Sequence, residues 1–125
     1  MLDLREKLEG CPLVGDGAMG TLLVERGVDH PHDKTSLVHP PAIRDLHEEY
    51  LRAGAKVIET NAFSANRMKL ALRDLGEKVW EINIAGAHLA RKAVDVLPLG
   101  KGALVLGSIR LLERPLAPIG SILPD

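Results

Sequence analysis

The chain has 125 residues, the size of one ordinary domain, with 46% apolar residues, 26% charged residues and a net charge of -1. That balance excludes a disordered chain, and the absence of a basic stripe gives no expectation of a nucleic-acid partner or an anionic membrane surface. A single cysteine, Cys11, cannot form an internal disulfide, which points to a reducing, cytoplasmic setting.

Apolar runs such as residues 103–106 are too short to span a bilayer, and the charged start (Asp3, Arg5, Glu6, Lys7) does not read as a secretory signal. Aromatic residues make up only 2%, so a core has to be built from Leu, Val, Ile and Ala.

In chain order, residues 1–9 alternate charges with Leu2, Leu4 and Leu8, a short amphipathic helix that Gly10 can stop. Residues 12–16 are a brief apolar run ending in glycines, which predicts a strand. Residues 21–26 predict one or two helical turns, and residues 27–39 read as a polar loop. Pro40-Pro41 opens a helix that Gly54 follows, with Ile43, Leu46, Tyr50 and Ala53 on one face. Residues 56–60 predict a second strand. Ser64 or Asn66 can cap a helix with Met68, Leu72 and Leu75 as its buried stripe. After Gly76 a longer helix runs to about Val96, with Val79, Ile82, Gly86, Leu89, Ala93 and Val96 at alternating steps of three and four. Residues 103–108 predict a third strand.

Strands separated by helices imply a parallel α/β sheet. Each strand ends in a polar cluster: Asp16-Gly17, Glu59-Thr60-Asn61 and Gly107-Ser108. In such a sheet these ends share one rim, where ligands bind.

Gly15-Asp16-Gly17-Ala18-Met19-Gly20 fits the G-x-G-x-x-G dinucleotide fingerprint, but its context fails. A polar loop follows where a helix is needed, the acidic strand end at Glu59 comes far too late, and Asp16 would repel a pyrophosphate. A carboxylate beside a glycine-rich turn suits a zwitterion better: Asp16 can accept from an ammonium while backbone N–H groups receive a carboxylate. The plain alternative is a glycine turn with Asp16 capping the short helix after it.

Three segments together resemble a known family. Gly15-Asp16-Gly17-Ala18-Met19-Gly20-Thr21, Glu59-Thr60-Asn61-Ala62-Phe63-Ser64-Ala65-Asn66 and Leu106-Gly107-Ser108-Ile109 resemble the first three strand motifs of the homocysteine S-methyltransferases. The stretches at residues 46–55 and 81–85 are similar to that family too, and the resemblance runs to about Pro118. It implies part of a (β/α)8 barrel, about three parallel strands with flanking helices, over residues 1–125. It also implies transfer of a methyl group to a zinc-bound homocysteine thiolate, giving methionine. By resemblance Asp16 holds the homocysteine ammonium, the backbone of Gly17, Ala18, Met19 and Gly20 lies against its carboxylate, and Thr60, Asn61 and Ser108 line the same rim.

Two departures qualify those expectations. The family's zinc sits on three cysteines from later strands, none of which is among these 125 residues, so no zinc is expected on this chain and activity of the chain alone stays open. Cys11 precedes the first strand, about 16 Å of extended chain from the rim, and reads as structural. Arg110-Leu111-Leu112-Glu113 stands where the family has a Gly-Pro turn, which brings a charge toward the rim.

His30-Pro31-His32-Asp33 lacks a third metal ligand at a recognised spacing and reads as a solvated loop; His47 and His88 read as surface or packing residues. A full barrel needs about 250 residues. Three strands would expose sheet edges and apolar faces, to which the tail adds Leu116, Ile119, Ile122 and Leu123. Self-association or a second chain that completes the barrel is therefore expected. The methyl donor is unreadable. The alternative is a truncated, inactive module that binds an amino acid or a partner.

Overall fold

The computed structural model describes residues 4–28, 32–110 and 112. Six α-helices and two strands follow in the order α1 (Leu4–Gly10), α2 (Gly20–Glu25), α3 (His32–Val38), α4 (Pro40–Arg52), β1 (Val57–Glu59), α5 (Arg67–Ala71), α6 (Val79–Val96) and β2 (Leu104–Leu106). Short 3-10 turns at Gly76–Lys78 and Pro98–Gly100 flank α6.

β1 and β2 pair in parallel, Val57 opposite Leu104 and Glu59 opposite Leu106. On the other side of β1 the expected first strand is reduced to a single parallel bridge between Gly15 and Val57. Around it Lys56 N donates to Val14 O at 2.7 Å and Asp16 N to Val57 O at 2.9 Å. The three segments thus lie side by side in chain order, with β1 in the middle. Ile58, on β1, is fully buried, which contributes about 1.5–3 kcal/mol.

Helix ends follow their local chemistry. Proline opens α4, where a missing N–H costs nothing. Gly54, at φ 109°, ends it with backbone donations from Gly54 to Leu51 and from Ala55 to Tyr50. Asn66, in extended conformation, caps α5 by accepting from Lys69 N at 2.9 Å. Gly10 is the last residue of α1, a helix that buries no residue.

Three aliphatic clusters form the core. Leu51, Ala55, Ile58, Ala90, Ala93, Val94 and Ala103 join α4 and α6 to the sheet. Leu23, Val28, Ile43 and Leu46 join α2 to α4. Ala62, Ala65, Leu70 and Ile82 join α5 to α6.

Several sequence expectations shift by a residue or a face. The expected polar loop over residues 27–39 contains helix α3, whose Thr35 and Ser36 are buried while Leu37 packs on the Ile82 cluster. A helix that buries hydroxyls does not announce itself by apolar period. In α5 the buried residue is Leu70, while Leu72 is exposed, because the helix ends before Leu72 can turn inward. On α6 Val96 is exposed, and Ala90 and Val94 take the inner positions of the last turns. On α4 Ala53 is exposed, and Leu51 and His47 are buried in its place. His30, Pro31, Leu111, Glu113 and the apolar tail residues lie outside the described residues, as do the side chains of His32 and Asp33.

Candidate amino-acid site at the sheet rim

The C-terminal tips of the three segments come together. Asp16 Oδ2 accepts from Glu59 N at 3.0 Å, which ties the first tip to the second. Thr60 N donates to Leu106 O at 2.9 Å, and Ser108 N donates to Thr60 Oγ1 at 3.1 Å, which ties the second to the third. Ser108 Oγ donates to Glu59 Oε1 at 2.6 Å. Asp16, Thr60 and Ser108 therefore lie together at one end of the sheet. Glu59 belongs to this rim as a second carboxylate. The sequence places Glu59 in the polar cluster at the end of the second strand but marks no role for its carboxylate.

Burial raises the Asp16 carboxyl above the ordinary carboxylate range; the Glu59 N–H lowers it, and the Glu59 charge raises it again. Two acidic side chains near each other, one largely buried, form a site that gains from an incoming cation.

The glycine turn is shaped by Tyr50. Its hydroxyl donates to Ala18 O at 2.7 Å, and a Cβ at residue 17 would lie 3.0 Å from that hydroxyl. Gly17 is thus the residue that lets Tyr50 close over the turn. Met19 precedes α2, and Gly20 is its first residue. Burial, then the Asp16 charge, raises the Tyr50 phenol, so it stays a neutral donor.

Asn61 Nδ2 donates to Ser36 Oγ on α3 at 3.3 Å. Arg110 folds back, its guanidinium 5.3 Å from the Phe63 ring centroid and donating to Ser64 Oγ at 3.3 Å. The charge that replaces the family turn is therefore held over the segment following β1.

His47 is not a surface residue. It is 0% exposed, and among the described residues neither ring nitrogen has a hydrogen-bond partner. Its Nδ1 lies 4.0 Å from Asp16 Oδ2. Burial lowers the imidazole from 6.5 to about 4, so the pair is a neutral ring beside a carboxylate and not an ion pair. A histidine whose folded value is depressed costs stability as pH falls through its unfolded value of 6.5 toward 4. Between those limits His47 is expected to remove on the order of 3 kcal/mol. Asp16, with its raised value, works in the opposite direction. Urea midpoints measured across that pH range should fall less steeply in His47→Leu than in the wild type.

Among the described residues no group of three His, Cys, Asp or Glu side chains could hold a metal ion. Cys11 is exposed and precedes the Gly15 bridge, at the far end of that segment from the rim. The described residues do not fit a zinc centre. A depression of about 340 Å³ lined by Arg91, Asp95, Leu97 and Lys101 lies at the opposite end of the sheet, before β2 begins. No described helix is long and apolar enough to cross a membrane.

Known proteins share this arrangement. The methionine synthases of Mycobacterium leprae (strain TN) and Mycobacterium tuberculosis (strain ATCC 25618 / H37Rv) are 33% and 31% identical over 76% of this chain. The chain spans 8% and 9% of their lengths. The homocysteine methyltransferase MmuM from Escherichia coli superposes with a TM-score of 0.73 in its metallated form and 0.74 in its oxidized form, at 32% identity. Each superposition covers 86% of this chain and about two fifths of MmuM (41% and 40%). Residues 13–121 match the family described as homocysteine S-methyltransferase, and with the rim geometry and these relatives the chain belongs to that family.

Proposed function

We propose that this chain forms the part of a homocysteine S-methyltransferase site that grips the amino-acid end of homocysteine. Asp16 receives the ammonium, with Glu59 adding negative charge beside it. The backbone of residues 17–20, held by Tyr50, faces the carboxylate. Thr60 and Ser108 fix the spacing of the rim. The observation that carries this reading is the buried Asp16 carboxylate, 8% exposed, at a rim where Glu59 and Ser108 meet.

The family's reaction on the homocysteine sulfur supports placing the thiol away from Asp16, toward the centre of the barrel. Calorimetry tests the reading: L-homocysteine should bind at least tenfold more tightly than 4-sulfanylbutanoate, which lacks the amino group. Equal binding, or none, would defeat it. Zinc analysis and a methyl-transfer assay on the same preparation separate a competent enzyme from an inactive binding module.

The open side of the sheet supports a further proposal. Val14, on the first segment, and Leu106 and Ile109, on and just after β2, are apolar yet 63%, 44% and 92% exposed. In a completed barrel such side chains are covered by further strands, and here a second chain would take that place. The 125-residue chain should elute from size exclusion at micromolar concentration as a dimer or larger; a well-folded monomer defeats the proposal.

A further inference from the structure

His47 is a fully buried side chain beside Asp16 that the proposed function does not use. It sits on α4 between Leu46 and Glu48, 0% exposed, with both ring nitrogens unpartnered and Nδ1 4.0 Å from Asp16 Oδ2. Leaving a buried donor without a partner costs about 1–3 kcal/mol, so an orphaned imidazole calls for a partner in some state of the molecule. A separation of 4.0 Å leaves no room for a water in line between the two atoms. An approach of about 1 Å makes a direct hydrogen bond.

We infer that His47 is a positioning residue for Asp16: its Nδ1–H donates to the carboxylate and holds it facing an ammonium ligand. This rests on the reading of Asp16 as the ammonium acceptor. The chemistry favours a histidine over a stronger donor. A lysine or arginine at residue 47 would bring a permanent positive charge, pair with Asp16 and compete with the ligand. A neutral imidazole orients the carboxylate and leaves its full negative charge for the ammonium. Asp16 Oδ2 already accepts from Glu59 N, and a second donor fixes the plane of the carboxylate as one donor cannot.

The assignment fixes the tautomer. Free histidine prefers the proton on Nε2, whereas donation to Asp16 requires it on Nδ1. Nitrogen-15 NMR of the full chain should find His47 as the Nδ1–H tautomer at neutral pH, and Asp16→Asn should shift that signal. An Nε2–H ring overturns the inference, and this readout needs no ligand.

Binding supplies the second arm. His47→Leu should weaken L-homocysteine about tenfold and leave 4-sulfanylbutanoate within twofold. His47→Asn, whose side-chain amide replaces the donor, should recover most of the loss. Equal weakening of both ligands by His47→Leu, or no recovery in His47→Asn, overturns the inference. If Asp16→Asn abolishes the preference for the amino group while His47→Leu leaves it intact, the His47 assignment falls and the Asp16 reading stands. A wild-type chain that does not distinguish the two ligands overturns both.

Discussion

Asp16→Asn is expected to weaken homocysteine binding by roughly tenfold to a hundredfold, because a hydrogen bond to a charged group contributes about 1.5–3 kcal/mol. Asparagine keeps the shape and can still accept from Glu59 N through its amide oxygen, so the link between the first two tips survives. Only the charge is lost. Calorimetry with L-homocysteine reads the effect, and a loss below threefold would remove Asp16 from the ammonium role.

The same variant should gain stability at neutral pH. The Asp16 carboxyl is raised in the folded state, mainly by burial. A raised carboxyl supplies stability below its unfolded value and gives it up as pH climbs through the folded one. Ionised Asp16 is thus a cost carried at pH 7, and Asn removes it. Weaker binding together with a higher urea midpoint is the pattern expected when a buried charge is kept for a ligand.

The second large effect is on folding. Leu46→Ala is expected to cost about 3 kcal/mol, within the range for a fully buried leucine. Leu46 packs with Leu23, Val28 and Ile43, and this cluster is what holds α2 against α4. The cavity would therefore loosen the helix that follows the glycine turn as well as lower the midpoint. Urea denaturation measures it. Arg91→Ala, which breaks only the exposed pair with Asp95 at 2.7 Å, serves as a control expected to fall within about 0.5 kcal/mol of the wild type. A Leu46→Ala change as small as the control's would mean that this cluster does not hold the turn.

Much of this was legible in the residues. The ends of α4 followed from Pro40 and Gly54, whose backbone limits act locally. The rim followed from polar residues at the ends of short apolar runs, and Asp16, Thr60 and Ser108 do meet there. What stayed hidden depends on partners distant in the chain. α3 buries Thr35 and Ser36, so no apolar period marked it. Asn61 shares the second motif with Thr60 and also bonds Ser36 on α3, a contact only the tertiary packing makes. His47 lies among charged neighbours in sequence, yet the helix face it occupies is the buried one. A period of 3.6 places a residue on a face but does not say that an imidazole there is left without partners beside Asp16.

Every contact that assembles the rim joins stretches far apart along the chain: Asp16 to Glu59 across 43 residues, and Thr60 to Ser108 across 48. Parallel neighbours cannot close through a hairpin, so each link waits for an intervening helical crossover to collapse. During synthesis Asp16 emerges early and waits for Glu59, and Glu59 and Thr60 wait in turn for Ser108. The rim is thus among the last features to form, and it should be among the first to loosen when the β1–β2 pairing is disturbed.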